Sequence, residues 1–398
     1  MGSARFIRAL AGTFALRIST QLIPLTLTLT VINTGYRMVY PFLPVIARGL
    51  GVAPEAIILG VTGRLALGLV TPLLGALADR VGRKPAMLAG VAAFVIGGLI
   101  VGLHPSYTTL VVALISVGLS KALFNPALHA YVGDRVAFER RGTPMALVEL
   151  SWSGAYLLGV PAVGLLIGAA GWVAPFPALA AVALVGALWI GFTLPGNASS
   201  AVRAASISSG FAAILARKSA LAGLAVGFLI SAGNETVSIV YGLWMEQSFG
   251  LQIAALGAAT AVIGLAELGG EGLVAGLADR IGKRRLVAAG MIMSTAAALV
   301  LPQLGGSLAA GLIGLFAFYL CFEATIVCTL PLMSEQVPQA RATLLATNSA
   351  GLSLGRSLGA LAGAPLFALG MQANGAAAAA LNLLALGLLL GLVKERGT

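Results

Sequence analysis

Charged residues are scarce in this sequence. Asp, Glu, Lys and Arg together make up 9% of its 398 residues, whereas hydrophobic residues make up 59%. A soluble domain carries roughly 25% charged residues. The composition therefore excludes an ordinary soluble protein and indicates a protein that crosses a membrane many times.

Cysteine and histidine are also scarce, with two of each in the whole chain. Cys321 and Cys328 lie in one apolar run, and His104 and His129 lie in other parts of the chain. Metal sites and disulfide frameworks need several such residues at characteristic spacings. We therefore interpret the cysteines as packing residues and expect neither a metal site nor a disulfide framework.

Motifs for enzymatic chemistry are missing or lie in the wrong context. Residues 351–355 and 355–359 both match Gly-x-Ser-x-Gly, but they lie within an apolar run that no strand precedes. Neither histidine follows them in the order that a hydrolase of that type requires. The chain also lacks the phosphate-binding sequence Gly-x-x-x-x-Gly-Lys-Ser/Thr. We therefore expect no enzyme activity, no cofactor and no nucleotide-driven pump.

The sequence does contain a series of long apolar runs. Each run is long enough to cross a hydrocarbon core of about 30 Å as a helix. The predicted fold class is therefore an all-α polytopic membrane protein with twelve spans. In chain order the spans are 24–47, 56–78, 86–104, 108–131, 144–169, 173–194, 219–243, 254–278, 286–303, 307–332, 343–369 and 375–393.

Basic residues are concentrated on one side of these spans. If the chain starts in the cytoplasm, the termini and cytoplasmic loops hold 19 of the 24 Lys and Arg residues, and the outer loops hold only Arg48. Cytoplasmic loops of membrane proteins carry an excess of Lys and Arg. We therefore expect both termini in the cytoplasm. We attribute the net charge of +11 to topology and to contact with anionic lipids, not to nucleic-acid binding.

One charged stretch between apolar runs occurs twice. Gly75–Lys84 reads GALADRVGRK and Ala275–Arg284 reads AGLADRIGKR, so that Asp79 and Asp279 lie 200 residues apart. An internal repeat of this kind fixes the architecture of a chain. The predicted segments are an amphipathic lead-in at 1–23, a six-helix half at 24–194, a cytoplasmic linker at 195–218, a second six-helix half at 219–393 and a cytoplasmic tail at 394–398.

The repeated stretch resembles the signature loop between the second and third membrane helices of the major facilitator superfamily. The resemblance implies a fold of two pseudo-symmetric six-helix halves and secondary transport by alternating access. For the loop it implies a cytoplasmic gate, in which Asp79 caps the start of span 11 and favours the outward-open state. The gate residues implied are Gly75, Asp79, Arg80, Gly82, Arg83, Asp279, Arg280 and Gly282.

Span 5 is rich in glycine and contains a proline. It loosely resembles the Gly-Pro-rich motif of the antiporter branch of the superfamily, although Val160 interrupts the Gly159–Pro161 pair. Small residues at this spacing also serve close packing of membrane helices. The motif thus favours antiport, and ordinary packing remains the alternative interpretation.

Nine charged residues lie within the predicted spans. Each would cost about 2.5–3.5 kcal/mol at the centre of a lipid-facing helix. Most must therefore face a partner or a water-filled cavity, although Arg64 is near enough to the outer end of span 2 to snorkel. The nine are Arg37, Arg64, Lys121, Glu149, Glu235, Glu267, Glu271, Glu323 and Arg356.

The charges of the two halves occupy equivalent positions. Arg37 in span 1 and Glu235 in span 7 are 198 residues apart. Lys121 in span 4 and Glu323 in span 10 are 202 residues apart. Helices 1, 4, 7 and 10 line the central cavity in the superfamily, so the resemblance implies that these four charges ring the substrate site.

Polar residues at helical spacing support this interpretation, because polar stripes on apolar helices indicate an aqueous path. The alternative is a closed set of ion pairs that only holds the two halves together. The predicted substrate cavity comprises Asn33, Arg37, Tyr40, Lys121, Asn125, Glu235, Tyr319, Glu323 and Arg356.

Acidic residues within the spans suggest coupling to protons. Glu267 and Glu271 lie four residues apart on one face of span 8. Neighbouring carboxylates in a medium of low dielectric constant favour proton binding, although packing against Arg356 would also explain them. In order of preference, the predicted proton-coupling residues are Glu235, Glu323, Glu271, Glu267 and Glu149.

These features predict a monomeric secondary transporter of the prokaryotic inner membrane. Its expected partners are a small organic substrate, protons and the lipid bilayer. Proton-coupled antiport, and hence efflux of drug-like compounds or metabolites, is the first hypothesis. A symporter of an organic anion is the alternative, and a non-transporting receptor or scaffold on the same fold is an alternative of another class.

Overall fold

The computed structural model of the protein describes residues 21–136, 141–195 and 207–393, without the side chains of residues 75–79, 142, 207–210 and 342. Every regular element in these ranges is a helix. The predicted tail and most of the predicted lead-in lie outside the described residues, as does the middle of the predicted linker.

Helices α1 to α6 form the N-terminal half and correspond to the first six predicted spans. Three of them consist of consecutive segments. Helix α1 comprises 21–37 and Val39–Leu50; α2 comprises Pro54–Ala66, Leu67–Val70 and Thr71–Val81; α3 is Arg83–Leu103; α4 is Tyr107–Arg135; α5 comprises Gly142–Gly154, Ala155–Gly159 and Val160–Ala170; and α6 is Pro175–Thr193.

Helices α7 to α12 form the C-terminal half, after the linker helix Ile207–Leu215. They correspond to the last six predicted spans. Helix α7 comprises Lys218–Ser238 and Tyr241–Phe249; α8 is Ile253–Ile281; α9 comprises Lys283–Val300 and Leu301–Leu304; α10 is Leu308–Ser334; α11 is Arg341–Ala368; and α12 is Met371–Leu392.

Ten of these helices are long and apolar enough to cross a membrane. The other two predicted spans lie on α1, which is interrupted at Met38, and on α11, which carries polar residues along its length. The structure thus confirms an all-α membrane protein and is consistent with twelve spans.

Prolines explain two of the helix interruptions. Pro41 has no N–H to donate to the carbonyl of Arg37, and α1 is interrupted at Met38, between these two residues. In α5, Pro161 follows a single π-helical turn at Ala155–Gly159. Such turns relieve a lost backbone hydrogen bond and often occur at functional positions. Both interruptions lie beside the cavity described below.

The two halves meet along two pairs of helices, α5 with α8 and α2 with α11. Glycine allows the closest approach in the first pair, because a Cβ atom on Gly164 would lie 3.1 Å from the Cα atom of Gly257. A third contact joins the second segment of α1 to the second segment of α7. Small residues let membrane helices pack this closely.

The helix ends define two faces of the molecule. The basic face contains the connections 81–83, 281–283 and 334–341, and the opposite face contains the connections 50–54, 103–107, 170–175, 249–253, 304–308 and 368–371. The repeated charged stretch lies on the basic face in both halves.

Candidate functional site

A cavity lies between the two halves near the middle of the helices. Its inner part contains residues of α1, α5, α7, α8, α10 and α11. Polar and aromatic side chains predominate there, in contrast to the apolar helix surfaces around them. The lining residues are Tyr36, Arg37, Tyr40, Trp152, Tyr156, Asn234, Glu235, Ser238, Glu267, Tyr319, Phe322, Glu323 and Arg356.

Arg37 of α1 and Glu267 of α8 form a two-pronged ion pair across the halves. The Nη1 atom of Arg37 lies 2.8 Å from Oε2 of Glu267, and its Nη2 atom donates to Oε1. Both side chains are buried, with 4% and 2% of their surface exposed. Nη1 also donates to the carbonyl of Trp152 at 3.0 Å. Burial on this scale is tolerated because each charge has its counter-ion.

Glu235 of α7 contacts the N-terminal half through a hydrogen bond from a tyrosine, not through an ion pair with a basic residue. The hydroxyl of Tyr40 donates to Oε1 of Glu235 at 2.8 Å. Arg64 donates in turn to the Tyr40 hydroxyl at 3.3 Å and to the carbonyl of Tyr36. Arg64 is only 1% exposed, so the structure places it inside the protein and not at the outer surface. Its backbone and hydroxyl partners accept the hydrogen bonds that water and lipid headgroups would accept at the membrane surface.

Lys121 of α4 lies among aromatic rings. Its ammonium lies 3.6 Å from the ring centroid of Trp152 and 4.6 Å from that of Tyr36. Within the described residues, no carboxylate lies within ion-pair distance of it. Cation–π contacts of this length stabilise an ammonium group. Lys121 is therefore held by aromatic faces and lacks a counter-ion in contact.

The outer part of the cavity extends from Trp152, Glu323 and Arg356 towards the basic face. Its cavity volume is about 220 Å³, which is smaller than the roughly 300–1,000 Å³ of drug-sized ligand sites. At its mouth, Glu149 and Leu330 are exposed. The other lining residues are Asn33, Lys121, Asn125, Val148, Ser151, Ile326, Val327 and Leu352.

The opposite face is closed above the cavity. Phe42 is fully buried between the closely packed glycines of α5 and α8. Arg48 and Glu246 form an ion pair across the halves at 2.7 Å. Gly242 of α7 lies against the backbone of α1, where a Cβ atom would be 2.4 Å from the carbonyl oxygen of Tyr40. Within the part of the chain that the structure describes, the cavity thus opens towards the basic face and is closed at the opposite face.

The structure brings together all nine predicted cavity residues. Arg37, Tyr40, Glu235, Tyr319, Glu323 and Arg356 line its inner part, and Asn33, Lys121 and Asn125 line its outer part. Within the described residues, Glu235 pairs with neither Arg37 nor Lys121, and the guanidinium of Arg37 contacts Glu267 instead.

The predicted proton-coupling residues lie in different surroundings. Glu323 is buried at the junction of the two parts, and within the described residues it makes no hydrogen bond. Glu149 lies at the mouth, 3.1 Å from Nε2 of His129. Glu271 is partly exposed and lines neither part of the cavity. Within the described residues, Glu235 and Glu323 are therefore the two predicted proton-coupling residues that line the inner part of the cavity without an ion-pair partner.

Three aromatic residues of the site, Tyr36, Trp152 and Tyr156, were not predicted from the sequence. The guanidinium of Arg37 lies 4.0 Å from the ring centroid of Trp152 and 3.5 Å from that of Tyr156, and that of Arg64 lies 3.8 Å from the ring of Tyr36. Trp152 and Tyr156 are four residues apart and share a face of α5. That spacing on an apolar helix is the sequence feature that could have indicated these two residues.

The repeated loop has equivalent contacts in both halves. Arg83 Nε lies 3.2 Å from Oδ2 of Asp134, and Lys283 contacts Glu335 in the same way. The next basic residue, Lys84 or Arg284, donates to carbonyl groups at the end of α6 or α12. Each loop thus holds together the ends of four helices of its own half.

The remaining predicted gate residues lie in the same loops. Gly82 and Gly282 have φ angles of 99° and 89°, a conformation that strongly favours glycine. Arg80, Asp279 and Arg280 are exposed. Gly75 and Asp79 belong to α2, and the Asp79 side chain lies outside the described part of the structure. The predicted contact of Asp79 with α11 stays a prediction.

Comparison with known proteins places these observations in a family. The sequence model of the Major Facilitator Superfamily matches residues 25–234 and 223–398. The chain is 25% identical over 298 residues to the uncharacterized MFS-type transporter YceJ of Bacillus subtilis (strain 168), covering 74% of this chain and 75% of the relative. It is 26% identical over 312 residues to Multidrug resistance protein 2 of the same organism, covering 76% and 78%.

Solved structures show the same fold. A bacterial homologue of the human lysosomal transporter Spinster, in an inward-facing and occupied conformation, superposes with a TM-score of 0.73 at 15% identity. The superposition covers 94% of this chain and 96% of that one. The similarity therefore extends over both halves.

Proposed function

The chain belongs to the major facilitator superfamily, and we propose that it exports a small organic solute in exchange for protons. One observation carries the proposal: in the described residues, both halves line a cavity that contains buried carboxylates and opens towards the basic face. A site between two halves that move against each other is the arrangement used for alternating access. We place the basic face in the cytoplasm of a bacterial inner membrane, following the excess of Lys and Arg on that side.

The cavity supplies groups for both transported species. Glu235 and Glu323 are the proposed proton carriers, because both are buried and line the inner part. Glu267 contributes differently, since its contact with Arg37 holds the two halves together on the side that is closed here. Glu149 and Glu271 lie further from the centre and are proposed as secondary proton groups.

The direction of transport rests on two weaker similarities. The named relative Multidrug resistance protein 2 suggests export, and the Gly-Pro-rich segment of α5 resembles that of antiporters. Symport of an organic anion with protons is the second candidate. It is favoured by Lys121, whose ammonium has no carboxylate in contact within the described residues. The two candidates differ in the direction of proton movement.

Proton movement in vesicles tests the proposal. The purified protein is reconstituted with a pH-sensitive dye inside the vesicles, and organic anions and cations are added outside. Antiport predicts that an exchanged compound makes the interior alkaline, because protons leave as the compound enters. Interior acidification would instead establish symport. Accumulation of a compound without any change in pH would contradict proton coupling altogether.

A single variant connects this flux to the cavity. Glu235→Gln keeps the size of the side chain and a hydrogen bond to Tyr40 but cannot bind and release a proton. We expect proton flux to fall by about tenfold or more, as for loss of a group that transfers a proton. Unchanged flux with an unchanged pH profile would remove Glu235 from the proposed mechanism.

The gate proposal for Asp79 has its own test. Asp79→Asn removes the negative charge that would cap α11 in the state closed to the basic face, and we expect transport to be lost while the protein still folds. Glu55→Gln is the matched control, because Glu55 is exposed at the other end of the same helix. Full turnover by Asp79→Asn would rule out the gate role.

A further inference from the structure

Two cations line the outer part of the cavity without an ion-pair partner. Lys121 of α4 and Arg356 of α11 come from different halves and both border this space. Within the described residues, neither forms an ion pair. Glu149 and Glu323 also border this space, but within the described residues neither pairs with Lys121 or Arg356. Two like charges that face one cavity repel each other unless a counter-ion joins them.

Three aromatic faces of the cavity are already occupied by cations of the protein itself. Trp152 faces both Arg37 and Lys121, Tyr156 faces Arg37, and Tyr36 faces both Arg64 and Lys121. Aromatic cages bind ligand cations through these faces. Because the protein's own cations fill these three faces, a positively charged ligand would meet repulsion there.

We propose that the substrate carries an acidic group, such as a carboxylate or sulfonate, and that Lys121 and Arg356 hold this group between the two halves. Arg356 offers a planar fork that matches the two oxygens of a carboxylate, and Lys121 adds a point charge. The inference rests on the proposed transport function and names its substrate class. It does not depend on the direction in which protons move.

The apolar residues that line the outer part determine the chemical character of the other end of the substrate. Val148, Ile326, Val327, Leu330 and Leu352 give the outer part an apolar wall. Burying an apolar group against such a wall contributes roughly 25 cal/mol per Å². A compact apolar body that carries one acidic group fits both features.

Binding of matched ligands to the full-length protein in detergent tests the inference by calorimetry. The probes are 3-phenylpropionate and 1-naphthoate, each with its neutral amide and with the amine of the same skeleton. We expect the carboxylates to bind, the amides to bind at least about tenfold more weakly, and the amines to show no binding. This part of the test needs no variant.

Charge-removing variants locate the site. Lys121→Gln and Arg356→Gln are each expected to weaken carboxylate binding by about tenfold to a hundredfold, as for loss of a hydrogen bond to a charged group. Lys218→Gln is the matched control, because Lys218 is exposed on the basic face outside the cavity. It should bind the carboxylates as the native protein does.

Three results would overturn the inference: binding of the amines as tightly as the carboxylates, native carboxylate affinity in the Lys121→Gln/Arg356→Gln double variant, or no binding of either carboxylate. The vesicle assay is independent of these results. Protein that binds the carboxylates but moves no protons or solute would support the anionic site and contradict the transport proposal.

Discussion

Replacing Glu267 by glutamine is expected to abolish transport and to destabilise the arrangement in which the opposite face is closed. The variant leaves the guanidinium of Arg37 buried at 4% exposure without its counter-ion. Removing one partner of a buried pair costs about 3–5 kcal/mol. A change of that size shifts the ratio of two conformations by about a hundredfold to several thousandfold. The halves would then separate until water reaches Arg37.

A double variant distinguishes the effect of removing the whole ion pair from the effect of leaving the Arg37 charge without its partner. Arg37→Gln/Glu267→Gln removes both charges, so thermal unfolding in detergent should occur closer to the native temperature than in Glu267→Gln. Transport should stay low, since the double variant no longer has the charge pair that joins the halves. Glu271→Gln, one turn further along α8, should change the unfolding temperature little. Equal unfolding temperatures for the native protein and Glu267→Gln would contradict the assignment.

The sequence was sufficient for the architecture because the bilayer imposes it. Helix length, the one-sided basic residues and the duplicated loop predicted the positions of the helices to within a few residues. Boundaries such as the interruption at Met38 depend on proline chemistry and could also be expected from Pro41 and Pro44. These are local properties of the chain, so they can be predicted from a single sequence.

Pairing inside the cavity could not be predicted in the same way. The internal repeat places Arg37 and Glu235 at equivalent depths in the membrane. The orientation of α8 about its own axis nevertheless brings Glu267, and not Glu235, to Arg37. Sequence position gives the depth of a side chain in the membrane, whereas the choice among several acids at similar depth depends on helix rotation. The aromatic faces around Arg37 and Lys121 also require that rotation to be known.

Replacing Gly242 by alanine is expected to prevent closure of the opposite face. A Cβ atom there would lie 2.4 Å and 2.7 Å from the carbonyl oxygens of Tyr40 and Pro41, and 2.9 Å from the Cα atom of Pro41. These are backbone atoms of the other half, so no side chain can move aside to make room. The two halves can relieve the clash by separating at this face. Each half retains its own packing, and we expect a folded protein whose transport falls by more than about tenfold.

Thiol labelling measures this separation directly. In a background without the two native cysteines, Ser238→Cys places a thiol in the inner cavity, which the native arrangement closes to the opposite face. With Gly242→Ala, a membrane-impermeant thiol reagent added on that face should label it several times faster. Gly168→Ala is the matched control, because a Cβ atom on that helical glycine of the same face meets nothing within 4 Å. Native transport and native labelling in Gly242→Ala would show that the tight contact of α1 with α7 does not control access. Faster labelling with lost transport would show that closure of this contact is a required step of the cycle, because both halves would still be folded but could no longer meet.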